Sequence, residues 1–343
     1  MKRRVPWHCL ALATAGLIGP ALGLLPKPAE AQASAATVGT INSAILRAQV
    51  QLDRAGFGPG VIDGRPGRFF AAAIKGFQQS RGLPATGTVD AATRAALDKD
   101  RDPALMTMML KEAALKDDYT PVIPASIADQ AALPALGYRD LLEKLTERFH
   151  TTPATLLALN PALAAPKAGM MLRLPALIPA DRAYEKGLSP QWRETLATLN
   201  VGANLPKAAK VVVSKSASLL KLYDARDRLI AQFPASTGSE RDPLPIGEWK
   251  VKDTARLPTY HYSPELFWDA AITDRKAVVQ PGPNNPVGVV WIDLDKPHYG
   301  IHGTPEPARI GRSQSHGCVR LSNWDAARVA QMIGKDVPVI FIE

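Results

Sequence analysis

The 343-residue sequence predicts a multidomain chain: a small all-α unit, an α/β middle segment, and a C-terminal mainly-β domain with a late helix. Three observations carry this prediction. Apolar residues recur at helical spacing up to about residue 98; helix, turn, helix and a short apolar strand follow in 138–177; from Lys210 the pattern changes to a period of two. The length itself argues for two or more domains.

The N-terminus opens with Lys2, Arg3 and Arg4, continues with an apolar run from Val5 to Leu25, and offers Ala29-Glu30-Ala31 and Ala31-Gln32-Ala33 as cleavage sites. This is a secretory signal pattern, expected over residues 1–31. A transmembrane anchor is the alternative, but Gly16, Gly19, Pro20 and Gly23 interrupt the run before the ~20 clean apolar residues a span requires. The mature chain is therefore expected in the periplasm or cell envelope, without a stable transmembrane span. Cleavage removes Lys2, Arg3, Arg4, Lys27 and Glu30, so the formal charge falls from +9 to +6. That balance suits a polyanionic surface. Nucleic acid is not expected as a partner, because no long basic run with interleaved aromatics is present.

Cleavage also removes Cys9 and leaves Cys318 as the one thiol, so no internal disulfide can form. An unpaired cysteine in an oxidising compartment marks a reactive group, with an inert buried thiol as the alternative.

Residues 41–98 read as a helical unit. Ile45, Leu46, Val50 and Leu52 form one apolar stripe, a Gly/Pro/Asp-rich turn covers 57–67, and Phe69, Phe70, Ile74 and Phe77 form a second stripe. Asp90 is placed to cap a third helix. The stretch "VQLDRAGFGPGVIDGRPGRFFAAAIKGFQQSRGLPATGTVDAATRAAL" resembles the three-helix peptidoglycan-binding module, matching its turn residues as well as its apolar ones.

Residues 99–137 are expected to be a linker or helical spacer, with Pro103, Pro121, Pro124 and Pro134 and a Met-rich helical stretch at 105–115. In 138–179, "YRDLLEKLTERFHTTPATLLALNPALAAPKAGMMLRLPAL" resembles a LysM-type carbohydrate-binding motif through its first helix, "LNP" turn and closing "G…L.LP" strand. It departs from that motif at its start, where the usual first strand and glycine-threonine cue are missing. His150, the one histidine of the segment, reads as structural or solvated. Residues 180–207, with Pro190 and Pro206, read as a second linker.

The domain at 208–343 contains "KVVVSK", "SLLKLYD", "RLIAQFPAS", "GEWKVKD", "VGVVWIDL", "YGIHG" and "VPVIFIE" as short strands, with "DARDR" as a hairpin turn. "SNWDAARVAQMIG" is its clear helix, with Ser322 as N-cap, Asp325 three residues on and Gly334 just past its end. Between the last two of these strands lies "HGTPEPARIGRSQSHGCVRL", residues 302–321, which holds Cys318 with His302 and His316.

A thiol needs a nearby imidazole to take its proton. His302, at a preceding strand end, can approach across the sheet, whereas His316 is tied two residues away. A backbone carbonyl can orient the second nitrogen of His302, and Asp293, Asp295 and Glu306 are near in sequence. Gly317 permits unusual backbone angles, so its amide and that of Cys318 can converge on one oxyanion. Arg320 offers a fixed cation for a substrate carboxylate. A zinc site from His302, His316 and Cys318 is the rival chemistry. A papain-like arrangement fails, since the 25 residues after Cys318 contain no histidine.

"IHGT…SHGCVRL", with "QPGPNNPVGVVWIDL" upstream at 280–294, resembles the signature of YkuD-type L,D-transpeptidases over the whole of the last domain. The resemblance implies a cysteine acyltransferase without cofactor or metal, acting on peptidoglycan stem peptides and glycan. Cys318 would be the nucleophile and His302 the base, oriented by the Gly303 carbonyl. Gly317 and Cys318 would bind the oxyanion, and Ser315, His316 and Arg320 would shape the pocket. A tetrapeptide stem would be cut at its L-centre to D-Ala bond. The thioester would pass to a diamino-acid amine, to an envelope protein, or to water in a carboxypeptidase or cross-link-cleaving amidase. A wall-binding protein without activity is the remaining alternative.

Overall fold

A computed structural model of the chain describes residues 40–268, 270–313 and 317–343. The expected signal segment lies outside the described residues. Among those described, no helix is long and apolar enough to cross a membrane.

Helices α1 (Ser43–Arg54), α2 (Arg68–Ser80) and α3 (Ala91–Leu97) form the N-terminal unit. Asn42 caps α1 through its side-chain oxygen, and Asp90 caps α3 by accepting from the Thr93 amide. The two apolar stripes meet inside: Leu52, Ile74 and Phe77 are buried, and Phe57 lies edge-on to Phe77 at 5.8 Å between centroids.

The middle unit runs β1 (Leu105–Met109), α4 (Glu112–Leu115), α5 (Ile127–Gln130), α6 (Leu141–Arg148), α7 (Pro153–Leu159) and β2 (Met171–Pro175). Here the expected Met-rich helix is corrected over its first half, because β1 is a strand paired antiparallel with β2, Leu105 opposite Pro175 and Met109 opposite Met171. Met106 and Met108 turn inward onto the Leu145, Phe149 and Leu156 core. Cross-strand pairing and burial override the helix propensity of methionine. The partner of β2 thus comes from upstream of residue 138.

The second linker is also corrected. Ser189 caps α8 (Pro190–Thr198), and Pro190 occupies its first turn, where a missing N–H costs nothing. Trp192 of α8 is fully buried in the main core, and its indole N–H donates to the Gln331 side chain at 3.2 Å.

The C-terminal domain contains β3 (Lys210–Ser214), β4 (Leu219–Tyr223), β5 (Leu229–Pro234), β6 (Gly247–Arg256), β7 (Tyr260–Tyr262), β8 (Ala277–Val279), β9 (Val290–Leu294), β10 (Gly300–His302), β11 (Val319–Arg320), α9 (Asn323–Met332) and β12 (Pro338–Ile342). An eight-stranded sheet has the order β11-β10-β9-β6-β12-β3-β4-β5, while β7 and β8 form a separate hairpin. The pairs β10–β11 and β12–β3 are parallel, and the sheet's other pairs are antiparallel. The mainly-β domain with a late helix is as expected; β7, β8 and the two-residue β11 were not legible in the period-two pattern.

The outer edge of β5 is covered by the N-terminal unit. Gln232 exchanges backbone hydrogen bonds with Gly56 and Gly58 at 3.0 and 2.8 Å, and its side chain donates to the Ala72 carbonyl at 2.8 Å. Gly76 makes this fit, since a Cβ there would fall 2.7 Å from the Gln232 side-chain oxygen. An edge that would otherwise template another strand is thereby paired.

Buried charge joins all three units. Arg328 of α9 holds Asp53 of α1 bidentately at 2.6 and 3.2 Å, and bonds Asp325 at 3.3 Å. His150, from the middle unit, stacks on Trp324 at 4.7 Å and places its ring nitrogens against Asp53 and the Leu199 carbonyl. Burial opposes the Asp53 charge, but Arg328 and His150 outweigh it and hold the carboxyl well below its usual range. R328A would remove the cation shared by two buried carboxylates, so it is expected to cost about 3–5 kcal/mol, read as a lower urea midpoint at unchanged m-value.

Candidate active site

The parallel register pairs Ile301 with Val319 and His302 with Arg320. Ile301 and Val319 are fully buried in the core. Side chains alternate along a strand, so His302 and Arg320 face the other way, and Cys318, one residue before β11, shares that face. There they line a cavity of about 640 Å3 together with Tyr260, His261, Trp291, His298 and Tyr299. The geometry thus gathers Cys318, His302 and Arg320 from the predicted set. Ser315 and His316 lie outside the described residues.

His302 is buried, and its Nδ1 lies 2.7 Å from the Gly303 carbonyl oxygen. A carbonyl only accepts, so Nδ1 carries the hydrogen. Burial, aided by the Arg320 charge, lowers the imidazole to about 3 against the opposing Gly303 bond. The ring is therefore neutral at physiological pH, and Nε2 keeps a lone pair. Trp291, directly opposite on β9, stacks on it at 5.5 Å. Gly300 makes room, since a Cβ there would fall 2.6 Å from the indole.

Cys318 is half-buried, and its thiol donates to the His298 carbonyl at 3.7 Å. Burial pushes the thiol up, with the Gly300 amide and Arg320 partly offsetting it. At rest the thiol and the imidazole are thus both neutral. Arg320 is half-buried on the same wall.

Gly317 has φ +97°, a left-handed conformation, and a Cβ there would fall 2.6 Å from the Tyr299 ring. Only glycine enters this turn without displacing Tyr299, and the turn sets the direction of Cys318. Among the described residues no group of three or more His, Cys, Asp or Glu is clustered for a metal. Asp293 and Glu306 engage Lys252 and Arg309 rather than His302.

Trp291, Tyr260, Tyr299 and His298 were missed from sequence. Trp291 was legible in principle, because it lies opposite His302 once β9 and β10 are paired. The others come from turns or from the β7–β8 hairpin, which no periodicity announces. Asn323, at the start of α9, was read only as part of a helix. Its side-chain nitrogen donates to Glu147 and to the Pro283 carbonyl.

Residues 208–341 match the L,D-transpeptidase catalytic domain family, YkuD, and residues 42–97 match a peptidoglycan binding domain family. The chain is 29% identical over 196 residues to a Bacillus licheniformis protein named as L,D-transpeptidase YkuD, covering 57% of this chain and 88% of that one. It is 42% identical over 110 residues to a Fuscovulum blasticum protein, named as an L,D-transpeptidase in the ATP synthase subunits region, covering 32% and 57%. The crystal structure of an L,D-transpeptidase from Xylanimonas cellulosilytica aligns with a TM-score of 0.35 at 15% identity, over 88% of this chain and 95% of that one.

Two outcomes are expected of the site. Below a raised thiol pKa the thiolate fraction climbs about tenfold per pH unit, whereas a path assisted by a base that stays neutral down to about 3 is independent of pH. Iodoacetamide alkylation of Cys318, followed by mass spectrometry from pH 5 to 8, should therefore be nearly flat in the native protein and climb with pH in H302A. G317A should lower stability by about 1–3 kcal/mol through its forced left-handed backbone, measured by urea unfolding.

Proposed function

From a chain that carries a YkuD-type L,D-transpeptidase catalytic domain behind a peptidoglycan binding domain, we propose an envelope acyltransferase whose nucleophile is Cys318 and whose base is His302. One observation carries this reading: the imidazole of β10 and the thiol just before β11 lie on one cavity wall, with Nδ1 committed to Gly303 and Nε2 left as the acceptor.

In this reading the donor is a stem tetrapeptide. Cys318 Sγ attacks the carbonyl carbon of its L-centre to D-Ala bond as the thiol proton passes to His302 Nε2. The oxyanion takes the Gly317 and Cys318 amides as donors. Collapse of the tetrahedral species breaks the C–N bond, and His302 returns the proton to the departing D-Ala amine. The enzyme is left as a thioester. An acceptor amine then attacks it, His302 takes the proton of that amine, and the new amide leaves Cys318 as a thiol.

Arg320, on the same wall, faces the cavity as a partner for a stem carboxylate. Ser315 and His316 complete the pocket in this reading. The neutral resting pair supports it, because a buried imidazole that starts uncharged can receive a proton. The peptidoglycan binding domain and the basic mature charge suit a wall-bound enzyme, raising the local concentration of an insoluble substrate. The expected signal segment would deliver it to that compartment.

With purified muropeptides as substrate, mass spectrometry is expected to show cross-linked dimers and free D-Ala. Shortened monomers alone would instead identify water as acceptor and sink the transfer claim. C318A should lose turnover while still sedimenting with isolated cell walls; turnover that survives in C318A would overturn the nucleophile assignment.

A further inference from the structure

We infer that Glu147 and Asn323 are positioning residues for the proposed acyl transfer: the middle unit, through Glu147, holds Asn323 against the Gly303 peptide that orients His302. The inference rests on the roles given above to Cys318 and His302.

Asn323 is the first residue of α9 and is fully buried. Its side-chain oxygen accepts the Val289 amide at 3.2 Å. That oxygen lies so close to two glycines that a Cβ would fall 2.0 Å from it at Gly288 and 2.2 Å from it at Gly303. The side-chain oxygen is therefore packed against the backbone of both. Gly303 has its amide on the Val290 carbonyl at 3.3 Å and its own carbonyl on His302 Nδ1 at 2.7 Å. Rotation of the Gly303 peptide would carry the carbonyl off the imidazole, and the packed carboxamide obstructs it.

One of the groups that hold the carboxamide lies outside the C-terminal domain. Its nitrogen donates to the Pro283 carbonyl at 3.0 Å and to Glu147 Oε1 at 2.8 Å. Glu147 belongs to α6, 176 positions earlier in the chain. Its other oxygen accepts the Tyr138 hydroxyl at 2.6 Å. Burial pushes this carboxyl up to about 7, with the Tyr138 and Asn323 bonds opposing the rise and the nearby Glu143 adding to it. An acid buried at such cost, between two neutral donors, needs a reason. A side chain with two acceptor oxygens is what takes both donors at once. Without it, one hydrogen of the buried Asn323 amide would lose its acceptor, freeing the carboxamide to turn.

The test uses the full chain and the iodoacetamide profile, which needs no peptidoglycan. E147A and N323S cut the link from its two ends. Both are expected to slow alkylation of Cys318 at pH 6 about tenfold, a partial loss of the 10²–10⁴ typical of a positioned base, and to replace a flat profile with one that climbs. On muropeptides, kcat should fall with KM unchanged. E147Q keeps an oxygen toward Asn323 and should restore the flat profile; Y138F leaves that bond intact and should not disturb it.

The inference is overturned if E147A and N323S fold, by near-UV circular dichroism, and keep the flat profile. It is equally overturned if E147Q folds yet climbs as E147A does, or if Y138F moves the profile as far. Should E147A not fold, N323S decides alone, since serine is well tolerated at a helix start. Flat native profiles without muropeptide products would refute acyl transfer and leave the positioning intact. Active transfer with unmoved variant profiles would do the reverse.

Discussion

The parallel pairing of β10 with β11 is the constraint on which the site depends. Ile301 and Val319 are buried on one face, so burial fixes the register, and the alternate face has to carry His302, Arg320 and, just before the strand, Cys318. A slip of one residue would turn these groups into the core and the apolar pair into the cavity. Two hydrophobic side chains thus place thiol and imidazole on one cavity wall. The glycines around them remove obstacles: Gly300 admits the Trp291 ring, and Gly317 admits Tyr299.

The low-dielectric surroundings then decide the protonation states. His302 meets burial and the Arg320 charge, and both favour the neutral ring. Cys318 meets the same burial, which favours the neutral thiol. No resting ion pair is needed, and the carbonyl of Gly303 selects which nitrogen is left to accept. Electrostatics and backbone geometry reach one outcome by separate routes.

The units upstream of residue 208 are built into this arrangement. The N-terminal helices complete the edge of β5 by backbone pairing, and Asp53 meets Arg328 beneath α9. Glu147 meets Asn323 at the start of the same helix. Buried polar pairs of this sort are weak evidence for stability, but they tolerate few alternative dockings, because a shifted interface leaves charges without partners. Binding module and C-terminal domain therefore pack as one body, although their sequence signatures read as beads on a string.

Local pattern made much of this legible. Helix caps such as Asp90 and Ser322, the stripe through Ile74 and Phe77, and the period-two strands from Lys210 are short-range features, and the three-helix unit and the mainly-β domain with its late helix followed from them. The motif around Cys318 also stood out, because few residue types in that order make chemical sense together. What failed was non-local. Leu105–Met109 is a strand through its pairing with Met171–Pro175, and Pro190–Thr198 is a helix whose Trp192 fills a core built from residues far along the chain. The sequence by itself determined the secondary elements with strong local signals and the chemical groups of the candidate site. Only the tertiary structure decided which strands are neighbours, that His302 rests neutral with Nδ1 engaged, and that a glutamate 176 residues away from Asn323 touches the frame of the site. The reason is physical: period and propensity act over a few residues, whereas register, burial and pKa depend on what the rest of the chain places alongside.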